Sequence, residues 1–190
     1  MKIWFLVGQS NTGKDTIMNR VLYNTVGLSR FVTYTTRDKR ENEVNGREYY
    51  FKTNDDYMQA LKDDKVVESR CYHLKDKDVY YYTLKDIDNK KNYIVVGTIS
   101  QCLSYIKYFG EDVVQPIRIR VNDYERLKRG IEREHNNKEN YYEVCRRFCD
   151  EFNEYTDKNF SLINFVLDIE NNDLDFCCYQ ISRFIEEKQA

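Results

Sequence analysis

Ile3 to Val7 is an unbroken apolar run of strand length, rich in aromatic and branched side chains and without polar alternation. Such a run predicts a strand covered on both faces. It stops at Gly8, and after Gly13 and Lys14 the apolar residues Ile17, Met18, Val21 and Leu22 recur at helical spacing. The first stretch of the chain is therefore strand, glycine-bounded loop and helix, in that order. Gly27 to Arg30 reads as a short connection. Beyond it the texture changes to short aromatic and β-branched pieces with dense charge. Phe31–Thr36 and Glu48–Lys52 are expected as strands, and the segment from Arg37 to Arg47 is too charged to be buried, so it must face solvent or a ligand. Asn54 is the expected cap of a helix with Tyr57, Met58 and Leu61 on one face. A strand at Val66–Ser69 and a hairpin at Leu74–Asp78 then lead into a strand at Val79–Thr83.

The apolar strand pattern resumes at Tyr93–Thr98 and is followed by a helix with Cys102, Leu103 and Ile106 on one face. Pro116 precedes a third core strand, Ile117–Val121, whose Arg118 and Arg120 alternate with Ile117 and Ile119 and make one side polar. Asn122 with Glu125 three residues on opens a helix through Arg133, and after the Asn136-Asn137 break a second helix runs from Glu139 to Tyr155. A last core strand is expected at Ser161–Leu167, with a turn at Glu170–Asn172. The final helix then points Leu174, Cys177, Cys178, Ile181, Phe184 and Ile185 inward.

Strands alternating with helices predict an α/β fold, a parallel sheet with helices on both faces. Residues 1–30, 84–121 and 156–190 carry that pattern. Residues 31–83 read as a small α+β insertion, and residues 122–155 as a helical region rich in Arg and Glu. The sequence contains no internal repeat and no linker.

The spacing G-x-x-x-x-G-K, from Gly8 to Lys14, is that of a phosphate cradle. A loop that wraps a polyphosphate turns several backbone N–H groups inward, which drives some residues to positive φ, where a side chain would clash. The helix that follows adds the positive end of its dipole, and the Lys14 ammonium can bridge terminal phosphates. Gly8, Asn11, Thr12, Gly13, Lys14, Asp15 and Thr16 are the candidate donor-nucleotide residues. The position after the lysine is ordinarily Ser or Thr, whose hydroxyl reaches Mg²⁺. Here it is Asp15, a hard oxygen ligand that can hold Mg²⁺ directly or through water.

At 190 residues and 41% hydrophobic the chain can bury one core. A net charge of −2, from 30 basic and 32 acidic side chains, argues against a general nucleic-acid or membrane-surface binder. No apolar run approaches membrane-spanning length and no targeting pattern opens the chain, so a cytoplasmic location is expected. Cys71, Cys102, Cys145, Cys149, Cys177 and Cys178 lack zinc-site spacing and read as reduced, mostly packed thiols. His73 and His135 are far apart in sequence and support no histidine-based metal centre. Oligomeric state is left open.

Thr33, Arg37, Arg40 and Tyr49 lie within one charged stretch. Two guanidinium groups three residues apart, with a hydroxyl before and a phenol after, can surround one phosphate dianion. The run T-T-R-x-x-R-x-x-E-x-N-G-x-x-Y-x-F from Thr35 to Phe51 resembles the acceptor segment of guanylate kinases, strongly over residues 1 to 83 and weakly after. The resemblance implies a P-loop NTPase fold with a nucleoside monophosphate region at 31–83 and a lid at 122–155. It also implies ATP as donor, Mg²⁺ as its companion, and GMP or dGMP as acceptor. Thr33, Arg37, Arg40, Tyr49 and Tyr81 are then expected to hold the monophosphate, with Glu43 bracing the arginines. Glu68 would accept from the guanine N1 and N2 hydrogens, and Thr83 would donate to the guanine oxygen. Arg129, Arg133 and Arg147 fall in the lid segment, where they would close over the donor; Lys14, Arg37, Arg133 and Arg147 would surround the phosphoryl in flight.

Three positions depart from that family. Thr98 stands where an aspartate usually helps to read the base, Tyr81-Tyr82-Thr83 replaces Y-G-S/T after an insertion, and Asp15 with Thr16 also looks like the cradle of ribose bisphosphate kinases. A kinase for another monophosphate or a ribose phosphate, or a binding module without chemistry, are the alternatives.

Overall fold

The computed structural model describes residues 1–73, 77–134 and 138–189, with the backbone alone at 138 and 139. The tip of the hairpin expected at Leu74–Asp78, His135 and the Asn136-Asn137 break lie outside the described residues. Along the chain, β1 (Ile3–Val7) is followed by α1 (Lys14–Asn24), then β2 (Leu28–Arg30), β3 (Thr33–Thr35), β4 (Tyr49–Phe51) and α2 (Asn54–Lys62). Next come β5 (Val66–His73), β6 (Asp78–Leu84), β7 (Asn92–Gly97), α3 (Ile99–Phe109) and β8 (Val114–Arg120). The chain ends with α4 (Asp123–Arg133), α5 (Lys138–Glu154), α6 (Asp157–Phe160), β9 (Leu167–Glu170) and α7 (Leu174–Gln189).

Every residue of β1 is fully buried because it is the centre of a five-stranded sheet in the order β2-β7-β1-β8-β9. All four pairings are parallel. Successive side chains leave opposite faces of a strand. Trp4 and Leu6 accordingly join Ile17, Met18 and Val21 of α1 and Cys177, Cys178, Ile181 and Ile185 of α7. Ile3, Phe5 and Val7 join Phe31, Val95, Ile163 and the α3 residues Ile99, Cys102 and Tyr105. The expected α/β architecture, helices on both faces of a parallel sheet, is what the chain forms. The charged middle segment carries a second sheet, β4-β3-β6-β5, in which β3 pairs parallel to β4 and the other pairs are antiparallel.

Several boundaries differ from the expectation. Gly27–Arg30 is not only a connection: Leu28 to Arg30 form β2, pairing Leu28 with Asn92, and three residues are too few to show a period. Pro116 lies inside β8 rather than before it. Its neighbour β9 begins pairing only at Ile117–Leu167, and the Pro116 carbonyl accepts from Val166 N at 2.9 Å, so the missing N–H falls where no ladder yet exists. The strand expected at Ser161–Leu167 is displaced to Leu167–Glu170. Thr156 caps α6 instead, and Asn159 and Ser161 bond the nearby carbonyls of Glu154 and Lys158 at 2.8 Å, local bonds that compete with a ladder. Thr53, not Asn54, caps α2 in a reciprocal box with Asp56, and Tyr57 and Ala60 face inward while Met58 and Leu61 are exposed.

All six cysteines are free. Burial pushes the Cys102 and Cys177 thiols up to about 12, which leaves them inert, whereas Cys71, Cys145 and Cys149 are exposed and so not packed as expected. Among the described residues no helix is long and apolar enough to cross a membrane.

Candidate active site

The loop between β1 and α1 sits at the carboxyl end of the central strand, where open parallel sheets bind ligands. Thr53, Thr98, Asn122 and Thr156 cap α2, α3, α4 and α6 with their side chains. Before α1 the capping position is Gly13, in the left-handed region at φ 89°, and no side chain closes the helix end. Its first N–H groups are left for an anion. A Cβ on Gly8 would meet the Ile119 carbonyl oxygen at 2.5 Å, so only glycine fits there. Asn11 also has positive φ, 62°. The buried Thr12 donates its hydroxyl to Gln9 O at 2.8 Å.

Lys14 donates to Gln9 O at 2.7 Å and reaches Thr12 Oγ1 at 3.5 Å. Burial lowers its ammonium to about 8, from an ordinary 10.5. Its charge is thus held by oxygens of its own loop. Thr16 is exposed and lines neither cavity described below, whereas Asp15 lines both.

One cavity, of about 320 Å³, is walled by Asp15, Thr33, Arg37, Arg40, Glu43, Tyr49 and Tyr81. Arg37 donates to both oxygens of Glu43, at 2.6 and 2.5 Å, and its Nε donates to the Tyr81 hydroxyl at 3.1 Å. Its guanidinium carbon stands 5.2 Å from the Tyr49 ring centroid. The same carboxylate accepts the Arg40 backbone N–H at 2.9 Å. These bonds, led by the one from Arg37, bring the Glu43 carboxyl down to about 2 and push Arg37 up. Glu43 therefore holds the Arg37 guanidinium but meets Arg40 only at its backbone N–H. Among the described residues the Arg40 guanidinium makes no ion pair.

Glu68, Thr83 and Thr98 are not among those walls. The Thr83 hydroxyl is buried; it donates to Glu68 Oε1 at 2.8 Å and meets the Tyr105 hydroxyl at 2.8 Å. Gln101 Nε2 donates to the same Glu68 oxygen at 3.1 Å. Desolvation raises the Glu68 carboxyl, against the opposing pull of Arg70 and these bonds. Thr98 is occupied as the cap of α3, accepting from Gln101 N at 3.3 Å.

A larger cavity, of about 730 Å³, is lined by Asn11, Lys14, Asp15, Arg40, Arg133 and Arg147 among others. Arg133 pairs with Glu134 at 3.3 Å and Arg147 with Glu143 at 2.7 Å, both largely exposed. Arg129 lies elsewhere. It donates to Asn171 O at 3.3 Å, behind the loop, and Asn171 Nδ2 in turn donates to Thr12 O at 2.8 Å.

Sequence reasoning missed the residues that hold the loop from outside. Arg126, fully buried, donates to Ser10 O at 3.2 Å and Glu151 Oε2 at 2.9 Å; Glu151 Oε1 accepts Ser10 N–H at 2.7 Å. The available signal was Gly130, a glycine in a helix interior four residues after Arg126. A Cβ there would meet Asn11 Nδ2 at 2.5 Å and Val144 Cγ1 at 2.8 Å. Asn171, Gln101 and Tyr105 carried no signal of their own.

A parallel α/β sheet with an uncapped, glycine-lined helix start at the end of its first strand defines a phosphate-binding-loop protein. Comparison with known proteins narrows the class: the family model described as guanylate kinase matches residues 1–188, and the chain belongs to that family. Guanylate kinases of Oceanobacillus iheyensis and Lactobacillus delbrueckii subsp. bulgaricus are 33% and 39% identical over 66 and 64 residues, 35% and 33% of this chain. The matched stretch spans only about a third of those relatives, 32% and 31% of their length. The crystal structure of guanylate kinase from Anaplasma phagocytophilum superposes with a TM-score of 0.62 at 18% identity, covering 99% of this chain and 86% of that one. That likeness concerns the fold.

Proposed function

We propose that the protein transfers the γ-phosphoryl group of Mg·ATP to GMP or dGMP, giving ADP and the nucleoside diphosphate. The observation that carries this reading is that Asp15 and Arg40 line both cavities, so the glycine loop and the Arg37–Arg40 cluster face a common opening. In this reading residues 31–83 form the acceptor region and residues 122–155 the lid, on a core of the remaining residues.

The acceptor is a phosphate that is already ionised, so no general base is needed. One of its oxygens forms the new bond to the γ-phosphorus, the bond to the β–γ bridging oxygen breaks, and the electron pair leaves with ADP. What the protein supplies is alignment and positive charge. Loop N–H groups and Lys14 hold the donor's phosphates; Arg37, Arg40, Thr33, Tyr49 and Tyr81 hold the acceptor's. The exposed Arg133 and Arg147 side chains turn from their carboxylate partners toward the moving group and help keep water out. Asp15 is the hard oxygen donor that suits Mg²⁺, and together with the donor phosphates it would hold the ion; bound there, Mg²⁺ offsets phosphate charge.

A second reading, a different monophosphate acceptor, is favoured by one observation: Glu68 and Thr83 already bond each other, and Thr98 caps a helix. An ADP-release assay over GMP, dGMP, AMP, CMP, UMP and ribose bisphosphate separates the two. Turnover with GMP or dGMP at least tenfold above the rest is the expected outcome. ATP binding by calorimetry with no ADP released for any acceptor would leave a binding module instead.

A further inference from the structure

On the outer end of the β5–β6 pair, Cys71, His73 and Asp78 bring a thiol sulfur, an imidazole nitrogen and a carboxylate oxygen within 4.8 Å of one another. Strand geometry causes it. Residues two apart on β5 share a face, and the antiparallel register sets Asp78 directly opposite His73 and Tyr80 opposite Cys71. All three ligand atoms belong to strands, and the His73 and Asp78 side chains, 80% and 45% exposed, leave an ion free to enter.

The contacts within the trio show what it is suited to. His73 Nδ1 stands 2.7 Å from Asp78 Oδ1 and 3.9 Å from Cys71 Sγ. Both partners approach the same ring nitrogen. A thiol relay uses the two imidazole nitrogens separately, one taking the thiol proton and the other held by the carboxylate. Convergence on one nitrogen cannot serve that chemistry, because Nδ1 cannot donate to the carboxylate and accept from the thiol at once. It suits three lone pairs that share one cation.

We propose that Cys71, His73 and Asp78 form a divalent-metal site of the zinc class, with water in the fourth position. Thiolate and imidazole select Zn²⁺ over Mg²⁺, which takes oxygen ligands, so the site is chemically distinct from Asp15 and the glycine loop. Tetrahedral ligands at about 2.0–2.3 Å stand roughly 3.3–3.7 Å apart, so the His73–Asp78 pair has to open by about half an ångström and the Cys71 sulfur has to move in toward both. Binding releases the thiol proton, and the sulfur coordinates as thiolate. Tyr72, between the two β5 ligands, faces the other side, where its ring lies edge-on to Tyr81 at 5.5 Å. The ion would therefore clasp the strand pair directly behind the cavity that Tyr81 lines, and the proposal stands without the kinase reading.

The test uses Co²⁺ with the full chain, since a cobalt–thiolate bond gives a charge-transfer band in the near ultraviolet. The expected result is a one-to-one titration with that band, displaced by Zn²⁺. Cys71→Ser should abolish the band, and His73→Ala should weaken Zn²⁺ at least tenfold, in the range typical of damaged metal sites. Cys145 and Cys149, exposed and one turn apart on α5, are the other accessible thiols, so their double serine variant should keep the band. Zn²⁺ should also raise the melting temperature of the wild-type chain and leave that of Cys71→Ser unmoved. No band, a band that survives Cys71→Ser, or equal Zn²⁺ affinity in all variants would overturn the site.

Discussion

Arg126 and Glu151 hold the Ser10 peptide between them: Arg126 donates to its carbonyl and Glu151 accepts its N–H, while the two side chains pair at 2.9 Å. The pair joins α4 and α5 to the glycine loop, and the Arg126 guanidinium stacks 4.7 Å over the Phe148 ring. The start of α4 and the end of α5 are thus bonded to the glycine loop.

Glu151→Ala leaves the buried Arg126 guanidinium with the half-exposed Asp123, paired at 2.8 Å, as its one carboxylate partner, and leaves the Ser10 N–H without its acceptor. It should cost about 3 kcal/mol of stability, seen in urea or thermal unfolding, because the surviving charge is poorly compensated. ATP affinity should fall as well. Glu151→Gln retains an acceptor for Ser10 and should recover part of that affinity; loss of stability with ATP binding unchanged would reduce the pair to a structural role.

Lys14→Met should lower turnover by orders of magnitude with the fold intact, since a developing charge loses its nearest cation. The lysine also sets a pH dependence. Its folded value, about 8, lies below its ordinary 10.5, so between these values the unfolded chain holds more protons and stability rises with pH. Polyphosphate favours the ammonium form, so ATP binding above about pH 8 should take up a proton. Calorimetry in two buffers of different ionisation enthalpy reads that uptake, and Lys14→Arg should remove it.

Glu43 makes the opposite linkage. Its carboxyl is depressed from 4.5 to about 2, so the stability it contributes is present above 4.5 and fades as pH falls toward 2. Glu43→Gln should flatten acid unfolding across that window and raise the KM for the acceptor more than that for ATP, because Arg37 and the Arg40 backbone lose their common anchor. An acid profile identical to wild type would show that the ion pair contributes nothing in solution.

Glu68→Gln should weaken GMP by about a hundredfold while ATP affinity stays within about twofold, because a buried acceptor becomes an amide that offers hydrogens to hydrogens. Equal effects on both nucleotides would remove Glu68 from the base pocket.

Local pattern carried a good part of this protein. An apolar run of five residues that stops at a glycine is of strand length and fits a strand covered on both faces, and two glycines and a lysine at the right spacing predict an open helix start; β1 and the left-handed Gly13 before α1 stand where that pattern places them. Arg37, Arg40, Glu43 and Tyr49 were legible for the same reason, since all lie within one short segment. Tertiary contact alone decided the rest. Glu151 meets Ser10 across 141 residues, and Asn171 meets Thr12 across 159. Thr83 turned inward because Tyr105 and Glu68 offered it partners. A hydrogen bond between distant segments depends on where the sheet and helices bring the chain back, and no periodicity records that return.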